Sequence, residues 1–221
     1  MEKRIVVNQK LYLNTLEEND KFIKLLNDYK DKFIVIPSTI YIPFYIRNNF
    51  ITGSQNISDE TDSPHTGEIS PKSLSDLSVK YVLIGHAEIR EKYKDENIRI
   101  KKKIENALNN NLKVILCVGE KEKGKLELID EELEEIDNKD IIISYEPVWA
   151  IGSNETPSNS DIKMVASHIK EKGFKEVYYG GSVNEDNIES LSKIDNIDGF
   201  LIGSCSLKPN SIIKMIEVVS K

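Results

Sequence analysis

The chain has 221 residues, 39% of them hydrophobic, enough for one large α/β domain or two small ones. Its 30 basic and 37 acidic residues leave a net charge of −7, which argues against a general binder of nucleic acid or of an anionic membrane, since either needs a basic face. An anionic substrate stays open if the charge that attracts it is local. Cys117 and Cys205 sit among apolar residues without metal-ligand spacing and read as buried free thiols in a reducing compartment. His65, His86 and His168 are scattered and make no zinc pattern, so no metal is expected. Glu2, Lys3 and Arg4 lead straight into Ile5-Val6-Val7, unlike a signal peptide, and no apolar run approaches membrane-spanning length. The expectation is a cytoplasmic protein with neither membrane nor nucleic acid as partner.

Apolar runs rich in β-branched residues recur at 4–8, 33–37, 50–55, 80–85, 113–119, 140–145, 176–180 and 198–203. They are continuous rather than alternating, as parallel strands buried on both faces are. Amphipathic stretches separate most of them. The first, 15–30, opens on Thr15-Leu16-Glu17-Glu18, a capping-box pattern, and places Leu16, Phe22, Ile23, Leu25 and Leu26 largely on one side. Residues 39–48 and 70–78 are shorter and weaker helices. The stretches 95–110, 124–137, 160–172, 184–193 and 209–219 complete the series. Eight strand-helix units fit a (β/α)8 barrel, although a doubly wound open sheet gives the same alternation. Residues 59–65 form the one conspicuous polar loop, and no linker divides the chain. Residues 1–221 read as a single domain.

In a barrel the reactive groups stand at the C-terminal ends of the strands. Those ends carry Asn8 and Lys10, His86 and Glu88, Glu146, Gly180-Gly181-Ser182, and Gly203-Ser204. Taken singly each has a dull explanation: a solvated lysine, a satisfied imidazole, turn-forming glycines with no P-loop lysine after them. An isolated Glu146 more often ends a strand and caps a turn than acts as a base. The segment Tyr145-Glu146-Pro147-Val148-Trp149-Ala150-Ile151-Gly152 is the most informative. It puts a carboxylate at the end of a buried strand, then a stiff proline, a large aromatic and a short tip, the order expected of a base under a lid. Together the set supplies a base, an electrophile, a lysine and two backbone cradles for an anion.

Asn8-Gln9-Lys10, Ile84-Gly85-His86-Ala87-Glu88, residues 145–152, Tyr179-Gly180-Gly181-Ser182-Val183 and Gly199-Phe200-Leu201-Ile202-Gly203 resemble, in order, the signature segments of the triosephosphate isomerase family. Gln55-Asn56, Thr66-Gly67-Glu68-Ile69-Ser70, Cys117-Val118-Gly119-Glu120 and Ser206-Leu207-Lys208-Pro209 match too, so the resemblance spans essentially the whole chain. It implies a TIM barrel that interconverts dihydroxyacetone phosphate and glyceraldehyde 3-phosphate through an enediolate, in glycolysis and gluconeogenesis, with no cofactor. Glu146 would be the base, His86 the electrophile, and Lys10 the positive charge held by Glu88. Asn8 would orient the substrate, and backbone groups of Gly152, Ser182, Gly203 and Ser204 would bind phosphate. Pro147, Val148, Trp149, Ala150, Ile151, Gly152 and Ser153 would form the lid. Residues 55–66 would reach into a second subunit, with Thr66 near the partner's Asn8, which implies a homo-oligomer, a dimer or a tetramer.

The chain departs from the family at several places. Ala87 stands where serine is usual and Ile89 where arginine is usual. Ser204 replaces a glycine, which would be strained if its φ were positive. The loop tip Ser63-Pro64-His65 and the second hinge Asn154-Glu155-Thr156 also differ. The segments after Cys117 and after Gly152 are short, which predicts shortened outer helices five and six. The alternatives are an isomerase of another small phosphorylated ketose, such as a tetrulose phosphate, or a barrel that binds phosphate esters without catalysis.

Overall fold

A computed structural model of the chain describes residues 3–150 and 156–220. Eight parallel strands form one closed barrel: β1 (Arg4–Asn8), β2 (Phe33–Ile36), β3 (Ile51–Ser54), β4 (Tyr81–Ile84), β5 (Lys113–Val118), β6 (Ile142–Tyr145), β7 (Glu176–Tyr179) and β8 (Gly199–Ile202). Each strand pairs with its chain neighbours, and β8 returns to β1 with Phe200 opposite Ile5 and Ile202 opposite Val7. That closing pair excludes the open sheet. All eight predicted strands form, several of them a residue or two shorter than the apolar run, because the flanking residues turn out of the ladder.

The outer layer comprises α1 (Leu16–Leu26), α2 (Ile42–Arg47), α3 (Pro71–Asp76), α4 (Ala87–Tyr93), α5 (Asn97–Asn109), α6 (Leu126–Leu133), α7 (Asn159–Glu171), α8 (Ile188–Ser192) and α9 (Pro209–Val219). The capping box of α1 is present: the Thr15 hydroxyl accepts from the Glu18 N–H at 3.2 Å while the Glu18 carboxylate accepts from the Thr15 N–H at 2.9 Å. The buried face of α1 is narrower than predicted. Phe22, Ile23 and Leu26 are buried, but Leu16 and Leu25 are exposed. α4 was not foreseen, because its sequence AEIREKY is short, charged on all sides and buries none of its residues. Of the two outer helices expected to be short, α6 has eight residues, while α7 has thirteen and equals α5. None of the described helices is long and apolar enough to cross a membrane.

The continuous apolarity of the strands follows from two separate cores. Val6, Ile34, Ile36, Leu83, Ile115, Ile142 and Leu201 point into the barrel, while their neighbours Ile5, Val7, Phe33, Val35 and Val114 face the helices. Tyr81 and Tyr178 join the interior cluster, and the Arg4 guanidinium donates to the Tyr81 hydroxyl at 2.8 Å. The interior is therefore a packed core, and the site must lie above it at the ends of the strands.

The polar loop after β3 is tied to α5 by charge. The Arg99 guanidinium grips the Asp59 carboxylate with two bonds of 3.1 and 2.7 Å, and this hydrogen bonding holds that carboxyl below its ordinary range. Deeper, the ammonium of Lys103 lies 2.7 Å from Asp95 and 3.1 Å from the Asn56 side-chain oxygen, with Lys103 and Asp95 both buried. Removing one member of a buried pair leaves an uncompensated charge, which costs about 3–5 kcal/mol. Lys103→Met is accordingly expected to lower the stability by about that amount in urea unfolding. A loss under about 1 kcal/mol, the size of an exposed pair, would mean that this contact does not secure the loop.

Candidate active site

Asn8, Lys10, His86, Glu88, Glu146, Ser182, Gly203 and Ser204 line one cavity of about 250 Å³ at the C-terminal mouth of the barrel. They come from the ends of β1, β4, β6, β7 and β8, so the barrel gathers residues that lie far apart in sequence. Pro147, Ala150, Pro157, Tyr179 and Leu201 also line it. The sequence reading gave Leu201 and Pro157 no role in the site. Leu201 carries a signal, since it belongs to the inward-facing set of its strand. Pro157 carries none. Gly152, Ile151 and Ser153 lie outside the described residues, as does most of the second hinge.

Glu146 continues the β6 ladder, its N–H donating to the Val118 carbonyl at 2.8 Å. Its carboxylate is buried, with one oxygen 3.3 Å from His86 Nε2 and the other accepting from the Ala87 N–H at 3.3 Å. The backbone around it has to come very close. A Cβ on Gly119 would lie 1.7 Å from the Glu146 carbonyl oxygen, and one on Gly180 would lie 3.0 Å from its Cγ. Burial, and next the adjacent Glu146 carboxylate, push the Cys117 thiol well up, so a neutral thiol packs beneath the acid.

His86 is the N-cap of α4, and its Nδ1 accepts from the Glu88 N–H at 3.3 Å. A ring nitrogen that accepts cannot carry the proton, so the hydrogen sits on Nε2, the nitrogen that faces Glu146 and the cavity. The unforeseen helix α4 thus sets the tautomer of the imidazole. Its residue Arg90 also braces the site, donating to the Gly85 carbonyl at 2.8 Å and lying 3.4 Å from Glu132. Glu132 in turn accepts from the Gly119 N–H at 2.8 Å. Burial pushes its carboxyl up, against the opposing pull of Arg90. Neither residue was foreseen as part of the support, because nothing in the sequence couples positions 90, 119 and 132.

Lys10 adopts a left-handed backbone, with φ of 49°, which is uncommon for a residue with a side chain. Two bonds hold it there: its N–H donates to the Asn8 side chain at 3.0 Å, and Gln55 donates to its carbonyl at 2.7 Å. The ammonium ends 2.6 Å from Glu88. Burial is the largest single influence and would raise the Glu88 carboxyl, but the hydrogen bond from Lys10 and the nearby charges of His86 and Lys10 together hold the group below its ordinary value. A Cβ on Gly203 would press on the Lys10 Cε at 3.1 Å, so that glycine leaves room for the lysine. Ser204 is not among the residues with positive φ, and the strain expected there is absent.

The start of the expected lid is anchored to the loop that follows β5. Trp149 donates through its indole N–H to Glu120 Oε1 at 2.9 Å and through its backbone N–H to the Glu120 carbonyl at 3.2 Å. The Tyr145 hydroxyl donates to the same carboxylate oxygen at 2.9 Å. Thr66 is exposed and is not among the residues that line this cavity. Among the described residues no group of three or more His, Cys, Asp or Glu is placed to hold a metal ion.

The profile of the family described as "Triosephosphate isomerase" matches residues 3–219. Proteins of that name from Dictyoglomus thermophilum and Caldanaerobacter subterraneus subsp. tengcongensis are 38% and 37% identical, the first over 97% of this chain and 98% of its own length, the second over 90% of each. Another from Mesomycoplasma hyorhinis is 33% identical over 99% of both. With the barrel, the ordered motifs and these matches along the whole length, the chain belongs to the triosephosphate isomerase family.

Proposed function

We propose that the protein interconverts dihydroxyacetone phosphate and glyceraldehyde 3-phosphate, with Glu146, His86 and Lys10 carrying the chemistry. The observation that supports this most is the facing pair of Glu146 and His86, 3.3 Å apart, in a cavity that also holds Lys10. Glu146 takes a proton from the carbon beside the carbonyl. The carbonyl oxygen, gaining negative charge, receives a hydrogen bond from His86 Nε2–H and the field of Lys10. A neutral imidazole at a helix start is the electrophile known for this family, and the bond from Glu88 N–H to Nδ1 is consistent with it. His86 then passes protons between the two oxygens of the enediolate, and Glu146 returns its proton to the neighbouring carbon. Proton and electron counts balance without a cofactor.

Asn8 has its side-chain oxygen engaged by the Lys10 N–H, which leaves its amide hydrogens to orient the substrate. The phosphate lies against the backbone of Ser182, Gly203 and Ser204, together with Gly152, and Glu88 keeps Lys10 in place. The lid runs from Pro147 to Ser153 and excludes water from an intermediate that would otherwise lose phosphate.

The assembly we propose is a homodimer, in the cytoplasm, of chains that each work as one domain. Beside the catalytic cavity a second one of about 260 Å³ is lined by Lys10, Leu11, Gln55, Ile89 and Tyr93. The loop at 55–66 of a second copy, with Thr66 at its end, has the length and polarity to enter it.

Glu146→Gln is expected to lower kcat by at least about 10²-fold, the scale of general-base catalysis, in a coupled assay with glyceraldehyde 3-phosphate. Undiminished turnover would remove Glu146 from the mechanism. Gly203→Val should displace Lys10 and raise KM more than it lowers kcat. An unchanged KM would mean that Lys10 does not bind the substrate. Light scattering at micromolar concentration should return twice the mass of the chain, and a monomer would count against the docking of the 55–66 loop.

A further inference from the structure

The loop after β5 carries a cation with two unusual neighbours. The Lys123 ammonium stands over the indole ring of Trp149, 5.1 Å from its centroid, within the range of a cation–π contact. It also lies 3.3 Å from the carboxylate of Asp161. Trp149 belongs to the turn just beyond Glu146, whereas Asp161 lies in the first turn of α7, where it forms a capping box with Ser158. One side chain from a third segment thus touches both the first turn of the lid and the helix that follows it.

The edge of the same indole is already fixed, since its N–H reaches the buried Glu120. Glu120 fixes where the ring points, and Lys123 stands over one face of this half-exposed side chain. The Asp161 carboxyl is held below its ordinary value by the Ser158 backbone and hydroxyl, with Lys123 adding to them, so it stays ionised and keeps the ammonium over the ring.

We propose that Lys123 is a positioning residue for the reaction: by clasping Trp149 and Asp161 together it holds the lid's first turn, and with it Pro147 and Glu146, in the arrangement that faces His86. This rests on the roles proposed above for Glu146 and the lid. Lys123 is not among the residues that line the cavity and acts through Trp149 and Asp161.

Trp149 is the sole tryptophan of the chain, so its fluorescence reports on this contact without labelling. Lys123→Met should lower kcat about two- to five-fold, the scale of an exposed cation–π contact, with KM little changed. Acrylamide should quench Trp149 more strongly in this variant. Lys123→Arg should restore both properties, because a guanidinium stacks on an indole and pairs with a carboxylate. Lys123 is more than half exposed, so the variants are expected to fold, and unchanged circular dichroism would verify it. Unaltered quenching in Lys123→Met overturns the proposal. A rise in KM alone would leave Lys123 as a surface charge that steers an anionic substrate, and would overturn it equally. If the unsubstituted protein shows no isomerase turnover, the proposed reaction fails, while the quenching comparison still decides whether Lys123 holds Trp149.

Discussion

A closed barrel of short strands brings neighbouring strand ends together at its mouth, and at the end of β5 and β6 that convergence leaves no room for a side chain. The carbonyl of Glu146 lies where a Cβ of Gly119 would be, and Gly180 makes a second, less extreme close approach to the same residue. Glu146 is thereby fixed by backbone on two sides, with the ladder bond to Val118 below it. The position of Gly119 is itself secured by Glu132, and that of Glu132 by Arg90. The rigidity of the carboxylate thus comes from a chain of contacts reaching from α6 through α4 to β5. A reactive group that must move a proton over tenths of an ångström needs such a frame.

Electrostatics at the mouth follow from the same crowding. The protein is acidic overall, and two carboxylates, Glu88 and Glu146, line the cavity against one lysine. A phosphate placed there would gain little from net charge, and the proposed seat on backbone N–H groups suits the small residues Gly180, Gly181, Ser182, Gly203 and Ser204 that line the cavity. The single lysine is placed at some cost. Its left-handed backbone is of the kind that stores on the order of 1–3 kcal/mol, and it persists because Asn8 and Gln55 tie it down on either side. In the proposed reaction Asn8 would thus serve twice, once in the conformation of Lys10, to whose N–H its side chain is bonded, and once in orienting the substrate.

The barrel was legible in the sequence because its strands are buried on both faces. Val6 faces the interior while Ile5 and Val7 face the helices, and all three must be apolar. The cavity was legible for a different reason: strand ends mark the mouth in any such barrel, so Asn8, His86, Glu146 and Gly203 could be placed before any contact was known. What escaped was structure defined across elements. α4 has no apolar stripe, since it lies on the rim and buries nothing, yet it sets the tautomer of His86. The left-handed turn at Lys10 has no glycine to announce it, and the supposed strain at Ser204 was inferred from a glycine that the backbone here does not need.

The departures from the family take on a physical meaning once the contacts are known. At Ala87 the group that meets Glu146 is the main-chain N–H, which every residue except proline supplies, so the loss of a hydroxyl there leaves a donor in place. Ile89 is different. It is half-buried on the rim of the second cavity, between Leu11 and Tyr93, both of which are largely exposed. An arginine at this position would bring a charge to be paired across a subunit boundary, whereas isoleucine extends an apolar rim. Exposed apolar surface of this kind is stabilised by being covered, and covering it costs no desolvation of an ion. If a second copy docks there, covering Leu11, Ile89 and Tyr93 adds an apolar contribution to whatever polar contacts its 55–66 loop makes. That apolar contribution would not be screened by salt, unlike the contribution of an ion pair at position 89.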